Sequence, residues 1–490
     1  WGCQLSIVNC QSAASPFPSQ MYYSTLAILL VLLVPLCSFI YFFRPRHHHK
    51  NGRKPPPGPA PLPIIGNLHM LGNLPHQTLH HLGKKYGPIM SIKLGYVPTI
   101  VVSSPEATEL FLKVHDLGLA FAPYGSYWRT IRKWCTLHFL SASKIECSAP
   151  VRKEEVVSLV ESVRKAVTVG ETVDLSRKLG RVIEVMMCKV IFGQSMDDKF
   201  QFKPLVDETM LLAGVFNLSD YLPFLAPLDF QGYRRRLKRT SNGLHAIIDK
   251  MIDEHLQGTN AKEQKPYTDF FHVMVSLLNT PINPNDEEQR YFIGRENIKA
   301  IMVDMVAASF ETTTTAIEWT LAELLRHQWH RMVEESDLPK LTYLDMVIKE
   351  SLRLHPVAPF LLSRESTEDI TINGYFIPKK SRILVNIWSI GRDHKVWSNN
   401  AEEFFPERFK DSNIDVRGHD FQLIPFGSGR RGCPGMQLGL TTMRLIIAQL
   451  VHCFDWELPD RMLPNELDMT AKIGLTFPRA NHLLANPTYR

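Results

Sequence analysis

The spacing of apolar residues along the chain predicts a mainly α-helical protein with small β-sheets. Residues 154–167 and 242–256 repeat apolar positions with the helical period. Two short β-prone runs flank Gly95, and another pair flanks Asn373-Gly374, a dipeptide that favours a tight hairpin turn. Ser104-Pro105-Glu106 is typical of a helix start.

The N-terminal region contains an apolar run that is long enough to cross a bilayer. Residues 22–43 are 22 residues without a charge, about 33 Å as a helix, and predict a transmembrane anchor. Residues 1–21 are interpreted as a leader, because Met21 directly precedes the anchor. Residues 44–66 are basic and then proline-rich, which indicates a stiff hinge before a globular domain at 67–490. The basic cluster after the anchor places that domain in the cytosol.

Composition excludes several classes of protein. The charges are 55 basic against 49 acidic, a formal net charge of +6, and this mild balance does not predict a nucleic-acid partner. The basic run at 234–239 is better explained as a solvated helix face or a membrane-surface contact. The 8 cysteines include no C-x-x-C pair, so neither a zinc site nor a disulfide framework is expected.

A glycine-rich loop that leads into an apolar helical run carries the strongest chemical signal. It extends from Phe426 to Gly435, and Cys433 stands just before the predicted helix. Glycines allow close approach of the backbone to a flat cofactor, and a helix N-terminus favours a thiolate. An isolated cysteine is more often a small buried hydrophobe. The surrounding residues favour an iron-binding thiolate here.

This loop resembles the F-x-x-G-x-R-x-C-x-G signature of cytochromes P450, and the matching residues are Phe426, Gly429, Arg431, Cys433 and Gly435. The resemblance implies the cytochrome P450 fold behind an N-terminal transmembrane helix, with haem b bound in a catalytic domain at 67–490. It implies that Cys433 is the proximal iron ligand, and a thiolate ligand favours O–O cleavage. Arg431 would pair with a haem propionate, and Phe426 would pack near the thiolate.

Residues 304–315 place polar side chains inside an apolar helical stretch. By itself this stretch could be a satisfied core helix, with threonine hydroxyls bonded back to carbonyls. It resembles the family's [A/G]-G-x-[D/E]-T-T element, which implies that Thr312 and Glu311 are catalytic, in oxygen handling and proton relay, and that Ala308 borders the haem. Ser309 replaces the usual glycine. Because both Ala308 and Ser309 are small, the oxygen groove is expected to survive.

Three further elements match the family in order along the chain. Glu350-x-x-Arg353 alone would indicate an ordinary surface ion pair, but with Arg408 of Pro406-Glu407-Arg408-Phe409 it implies a structural network behind the haem. Trp128 and Arg132 match the W-x-x-x-R element, and Arg364 matches an arginine that holds a propionate. The candidates for the substrate pocket are apolar residues: Phe216, Val357, Phe360, Leu475 and Phe477.

The resemblance is nearest to the plant microsomal, or A-type, group and implies a haem-thiolate monooxygenase. Such an enzyme would lie in the endoplasmic reticulum membrane as a single-pass protein with a cytosolic catalytic domain. NADPH-cytochrome P450 reductase would supply electrons, and one atom of O₂ would enter a small lipophilic plant metabolite.

Three departures from the family pattern leave two alternatives open. A substrate-facing loop is missing between Leu117 and Gly118, the helical continuation after His327 is short, and Ser363 replaces the proline before Arg364. One alternative is therefore a haem-binding protein with impaired turnover. The other is a thiolate-haem isomerase or dehydratase, which the intact Glu311-Thr312 pair disfavours.

Overall fold

A helix of 32 residues, Arg295–Arg326, organises the core of the protein. In the computed structural model the described residues are 54–114, 125–196, 202–258, 269–281, 292–327 and 342–490. Helices predominate among them and the sheets are small, so the prediction of a mainly α-helical protein with small β-sheets is confirmed. The C-terminal half of the long helix is buried on nearly all sides, and its buried residues include Glu318, Thr320 and Glu323 as well as apolar side chains.

The described residues form fourteen α-helices. In chain order they are α1 (Pro75–Tyr86), α2 (Pro105–Val114), α3 (Ser126–Cys135), α4 (Ala142–Cys147), α5 (Ala149–Val169), α6 (Leu175–Phe192), α7 (Phe202–Gly214), α8 (Tyr233–Leu256), α9 (Phe270–Ser276), α10 (Arg295–Arg326), α11 (Thr342–Leu354), α12 (Ile387–Ile390), α13 (His394–Trp397) and α14 (Met436–Cys453). The helix starts and periods predicted at 105, 154–167 and 242–256 are confirmed by α2, α5 and α8.

The strands form three small sheets. They are β1 (Ile89–Leu94), β2 (Val97–Val102), β3 (Val173–Asp174), β4 (Arg364–Glu365), β5 (Ile370–Ile372), β6 (Tyr375–Ile377), β7 (Arg382–Val385), β8 (Phe454–Glu457) and β9 (Leu484–Tyr489). The orders are β1-β2-β7-β4, β3-β9-β8 and β5-β6, and β2 and β7 are the parallel pair. Both predicted hairpins are confirmed, and the second turns at Asn373 and Gly374 with φ of 49° and 76°.

The main core joins the helices that position the chemistry. α10 packs against α6, α11 and α14, and α14 also packs against α5. α5 and α6 each end at a glycine in the left-handed conformation, Gly170 and Gly193, with φ of 67° and 70°. The start of α14 and the middle of α10 are thus anchored to one apolar cluster.

Several predicted segments lie outside the described residues. These are the leader at 1–21, the anchor at 22–43, the hinge as far as 53 and the two shortened segments, which fall at 115–124 and 328–341. In the part of the chain that is described, no helix has the length and apolarity required to cross a bilayer. The rest of the hinge packs along β1, where the Ser91 amide donates to the Pro57 carbonyl at 2.8 Å.

Candidate active site

The cysteine loop has a defined geometry in front of α14. Gly427 and Gly429 adopt φ of 73° and 72°, which L side chains rarely accept, and so allow the chain to turn sharply. The Cys433 amide donates to the Phe426 carbonyl at 2.8 Å, and the Gly432 amide donates to the Gly429 carbonyl at 3.0 Å. These bonds fix the position of the cysteine at the end of the loop.

The pKa of the Cys433 thiol is raised overall, although three neighbouring groups favour the thiolate. Burial raises the pKa of the thiol, whereas hydrogen bonds from the Gly435 and Met436 amides and the charge of Arg132 act in the opposite direction. Cys433 is nevertheless exposed, so the thiol borders an open space inside a desolvating environment. A coordinated cation would hold such a sulfur deprotonated.

Two arginines connect α3 to the cysteine loop. The Arg132 guanidinium donates to the Gly432 carbonyl at 2.6 Å. The Arg431 guanidinium lies 4.5 Å from the centroid of the Trp128 ring, and that of Arg132 lies 5.9 Å from it. Trp128 is 3% exposed. The structure thus brings together three predicted site residues, Trp128, Arg132 and Arg431, beside the fourth, Cys433.

The middle of α10 presents an open face, defined here as Asp304, Ala308, Glu311 and Thr312. Ala308 is exposed, although the neighbouring Phe310 is buried. The Thr312 hydroxyl donates to the Ala308 carbonyl at 2.6 Å. Such back-bonding competes with the backbone ladder and loosens a helical turn. The predicted catalytic pair therefore lies on the side of α10 that is not filled by core side chains.

Asp304 is a site residue that the sequence analysis placed in this element without giving it a role. It is half-buried and lies one helical turn before Ala308. Burial raises the pKa of its carboxyl to about 6. Its charge also contributes, after burial, to a pKa of about 12 for Cys135 on α3. The signal that could have identified it is its spacing of eight residues from Thr312.

Glu350, Arg353 and Arg408 form the buried ion network. Arg353 Nε and Nη2 donate to the two oxygens of the Glu350 carboxylate, each at 2.8 Å, and Arg408 Nε donates to Oε1 at 2.9 Å. Glu350 is 0% and Arg353 1% exposed. Arg353 also donates to the carbonyls of Gly391, Ala401 and Glu403, and Arg408 to those of Trp397 and Asn400. The network ties α11 to the segment after α13.

The predicted pocket residues divide into two groups. The Phe477 amide donates to the Val357 carbonyl at 2.8 Å, and Leu475 and Val357 pack against the main core. Phe360 packs on the cluster around β1, and its ring and that of Phe477 both lie edge-on to His76, with centroid distances of 6.4 and 4.9 Å. Phe216 is 48% exposed and stacks on Tyr221.

The backbone around these pocket candidates is fixed by contacts that the sequence did not indicate. The indole N–H of Trp319 on α10 donates to the Phe477 carbonyl at 2.9 Å. At the end of α7, a Cβ on Gly214 would lie 2.2 Å from the Leu475 nitrogen, so only glycine permits this approach. Arg364 is half-buried on β4 at the sheet edge, where it pairs with Ile383.

The residues around Cys433 fit a haem with an axial thiolate. The sulfur accepts two backbone hydrogen bonds, which stabilise the anionic form. Arg132 and Arg431 supply the cations that carboxylate propionates require. A Cβ on Gly435 would lie 3.9 Å from the sulfur and would occupy space beside it. The donor set is therefore suited to one soft axial ligand and an anionic macrocycle.

Comparisons with known proteins agree with this geometry. The family model described as Cytochrome P450 matches residues 56–117 and 112–484, two segments that meet where a shortened loop is predicted. The chain is 52% identical over 479 residues to Cytochrome P450 CYP736A12 of Panax ginseng, covering 91% of this chain and 94% of that protein. It is 37% identical over 512 residues to Flavonoid 3'-monooxygenase CYP75B137 of Crocosmia x crocosmiiflora, covering 95% and 98%. With 5-epiaristolochene 1,3-dihydroxylase of Nicotiana tabacum the identity is 36% over 509 residues, covering 95% and 98%.

Proposed function

The chain belongs to the cytochrome P450 family, in its plant A-type group, and on that premise we propose that it inserts one oxygen atom of O₂ into a small lipophilic metabolite. As a member of this family it is an oxidoreductase with haem b as its cofactor. The observation that carries the proposal is the Cys433 thiol, held by two amides at the start of α14 beside Arg132.

Each side of the site has a distinct task in this reaction. When bound, the haem would supply the oxidising chemistry, and Cys433 would hold its iron. Arg132 and Arg431 would hold the propionates, with Trp128 fixing the position of the Arg431 guanidinium. On α10, the Thr312 hydroxyl keeps its lone pairs available because it donates its proton to the Ala308 carbonyl. Thr312 and Glu311 then hold and move protons at the open face.

The substrate we propose is lipophilic, because the pocket candidates that lie close together are apolar. They include Val357, Leu475 and Phe477. One similar protein is named for the dihydroxylation of 5-epiaristolochene and another for the oxidation of flavonoids. These names describe different carbon skeletons, so they support a class of small lipophilic compounds rather than one compound.

We propose NADPH-cytochrome P450 reductase as the electron donor. Around the Arg132–Gly432 contact the surface carries the exposed cations Arg129, Lys133 and Arg430. A cationic surface attracts a partner with an acidic face. Because this surface lies next to the cysteine loop, a partner docked there would be close to the iron. Salt should therefore slow reduction of the haem by this partner.

We also propose attachment to the endoplasmic reticulum membrane, with the catalytic domain in the cytosol. Besides the predicted anchor, apolar side chains are exposed at Ile64, Ile65, Tyr96, Phe224 and Phe230. The Gly95 amide donates to the Ile65 carbonyl, and the Tyr96 and Phe224 rings lie 6.0 Å apart, so much of this surface is continuous. An apolar surface of this kind fits a lipid interface.

Protease added to sealed microsomes tests this topology. The catalytic domain should be digested without detergent, because it lies outside the lumen. Glycosylation at Asn217, in the Asn217-Leu218-Ser219 sequon, or full protection of the domain would contradict the proposed orientation.

A carbon-monoxide difference spectrum of the reduced protein tests the ligand assignment. Cys433→Ser should abolish the thiolate-type band. Cys135→Ser and Cys453→Ser serve as controls that should keep it, since neither residue lies in the loop. An unchanged band in Cys433→Ser would remove the basis of the proposal. Incubation with reductase, NADPH and a panel of lipophilic metabolites then identifies substrates.

A second candidate function is haem binding with weak, loosely coupled turnover. The observation in its favour is the division of the family match at 112–117, next to the shortened segment. A site that closes poorly admits water, which diverts reducing equivalents. Insertion of a relative's loop between Leu117 and Gly118 should then raise product per NADPH at equal haem content. Tight coupling of the unaltered chain would exclude this candidate.

A further inference from the structure

The first turn of α1 carries a buried histidine that the proposed oxidation does not use. His76 is 2% exposed, and its ring lies against aromatic side chains from three other segments of the chain. The ring centroids lie 4.9 Å from Phe477, 5.1 Å from Trp388 and 6.4 Å from Phe360, with interplanar angles of 90°, 68° and 77°. Aromatic pairs prefer such edge-to-face contacts. His76 therefore contacts two of the predicted pocket residues at once.

Hydrogen bonding does not explain a histidine at this position. Nδ1 of His76 is buried without a hydrogen-bond partner among the described residues. Burial, and after it the charge of Arg392, lowers the pKa of the imidazole to about 4, so the ring is neutral near pH 7. A buried nitrogen without a partner costs free energy. What the side chain supplies within this part of the chain is a small flat ring in contact with other rings.

The backbone around these rings is held independently of the His76 side chain. Asn386, which is 0% exposed, donates from Nδ2 to the His76 carbonyl at 2.8 Å and forms a backbone β-bridge with Phe360. The amide and the carbonyl of Phe477 are both hydrogen-bonded, as described above. Replacement of the imidazole leaves all these bonds in place. It therefore acts on the Phe360 and Phe477 rings rather than on the path of the chain.

We propose that His76 is a positioning residue, which holds the Phe360 and Phe477 rings as one wall of the substrate pocket and thereby selects substrates by their width. The proposal rests on the monooxygenase function proposed above, in which both phenylalanines are pocket residues. Protein interiors are close-packed, and the neighbours of a deleted side chain relax in part into the space it leaves. Without the imidazole, the two phenyl rings would turn towards α1 and widen the pocket.

Two probes of different width test the proposal on the haem-loaded protein. They are 4-phenylimidazole and 4-(naphthalen-1-yl)imidazole, because a neutral imidazole binds iron and would place its aryl group in the pocket. The shift of the haem absorption band during titration gives each dissociation constant. His76→Ala should raise the affinity for the naphthyl probe relative to the phenyl probe by roughly 10-fold. His76→Phe, which restores an aromatic ring, should keep the wild-type ratio within about twofold.

The matched control is His80→Ala, the same change one turn further along α1. His80 is 7% exposed and lies edge-on to Trp388 at 5.4 Å, but it forms no ring contact with Phe360 or Phe477, all of which belong to the described residues. A loss of packing around α1 affects both alanine variants. Only His76→Ala should change the ratio of the two probes.

An unchanged ratio in His76→Ala, or an equal change in His80→Ala, would overturn the proposal. If His76→Ala does not retain haem, His76→Leu keeps most of the side-chain volume without the ring and should shift the ratio in the same direction by roughly threefold. The absence of that shift also rejects the role of His76. The carbon-monoxide spectrum separates the two hypotheses: a normal thiolate band with unchanged ratios rejects the role of His76 alone, and a missing band in the wild type rejects the proposed function and this role with it.

Discussion

Glu350 on α11 and Asp304 on α10 are carboxylates in opposite environments. Glu350 is fully buried, and its oxygens accept from Arg353, Arg408 and the Phe405 amide, the last at 2.8 Å. Asp304 is half-buried and has no partner among the described residues. The charged groups of the buried ion network thus all have hydrogen-bond partners, whereas Asp304 on the open face forms no such bond among the described residues. The network that stabilises the fold therefore starts on α11, and the predicted catalytic pair lies on the neighbouring α10.

Removal of a partner from the buried ion network should have the largest effect on stability. Arg353→Met leaves part of the Glu350 carboxylate and the carbonyls of Gly391 and Ala401 without donors. Breaking a buried pair in this way costs about 3–5 kcal/mol. Urea unfolding followed by tryptophan fluorescence, together with haem content after purification, measures the loss. Arg417→Met is the control, because the Arg417 side chain is 73% exposed, and it should change the unfolding free energy by less than about 1 kcal/mol.

A second buried carboxylate, at the closed end of α10, should have the next largest effect. Glu323 accepts from His355 Nε2 at 2.5 Å and lies 3.4 Å from His327 Nδ1. Burial alone would raise the pKa of Glu323, but the bonds to His327 and His355 hold it at about 2. Burial lowers the pKa of His355, while the Glu323 carboxylate raises that of His327. The Glu323 carboxylate therefore favours the protonated form of His327.

This arrangement gives a signed pH dependence. The contribution of Glu323 is complete above its ordinary pKa of 4.5 and is lost as the pH falls towards 2. The contribution of His327 is complete below 6.5 and is lost as the pH rises through its higher folded-state pKa. Glu323→Gln should lower the free energy of unfolding by about 2–3 kcal/mol, most strongly between these limits. A deficit that does not vary with pH would show that packing, not charge, accounts for the loss.

Replacement of Thr312 should lower the coupling of turnover without a large change in stability. Thr312→Ala and its control Thr314→Ala each remove a hydroxyl that donates to the carbonyl four residues earlier, at 2.6 and 2.9 Å. Because alanine is a better helix former, both should change stability by no more than about 1 kcal/mol. Only Thr312→Ala should lower product per NADPH and raise hydrogen peroxide. Equal coupling in the two variants would remove Thr312 from the proposed proton route.

The sequence predicted the parts of this molecule that depend on local chemistry. The hairpin at Asn373-Gly374 and the helix start at Pro105 follow from backbone preferences, and both are confirmed. The glycines between Phe426 and Gly435 likewise predict a turn before α14. By contrast, the Trp319–Phe477 bond joins residues that are 158 positions apart, and no local pattern encodes it. Phe216 and Phe360 were chosen for apolarity, which does not distinguish a pocket wall from any other packed surface, so their place in the pocket stays a prediction.

Asp304→Asn should have the smallest effect on stability, and of opposite sign to the others. Because burial raises the pKa of Asp304 from 3.8 to about 6, its ionised form opposes folding; this penalty is absent below 3.8 and complete above about 6. Cys135, on which the charge of Asp304 acts, stays neutral, with a pKa of about 12. The amide should therefore stabilise the protein at pH 7 by less than about 1 kcal/mol, since the carboxyl is only half-buried. The difference should vanish at pH 4. If Asp304→Asn is instead less stable at pH 7, the carboxylate has a partner within the chain, and the contrast between Asp304 and Glu350 is lost.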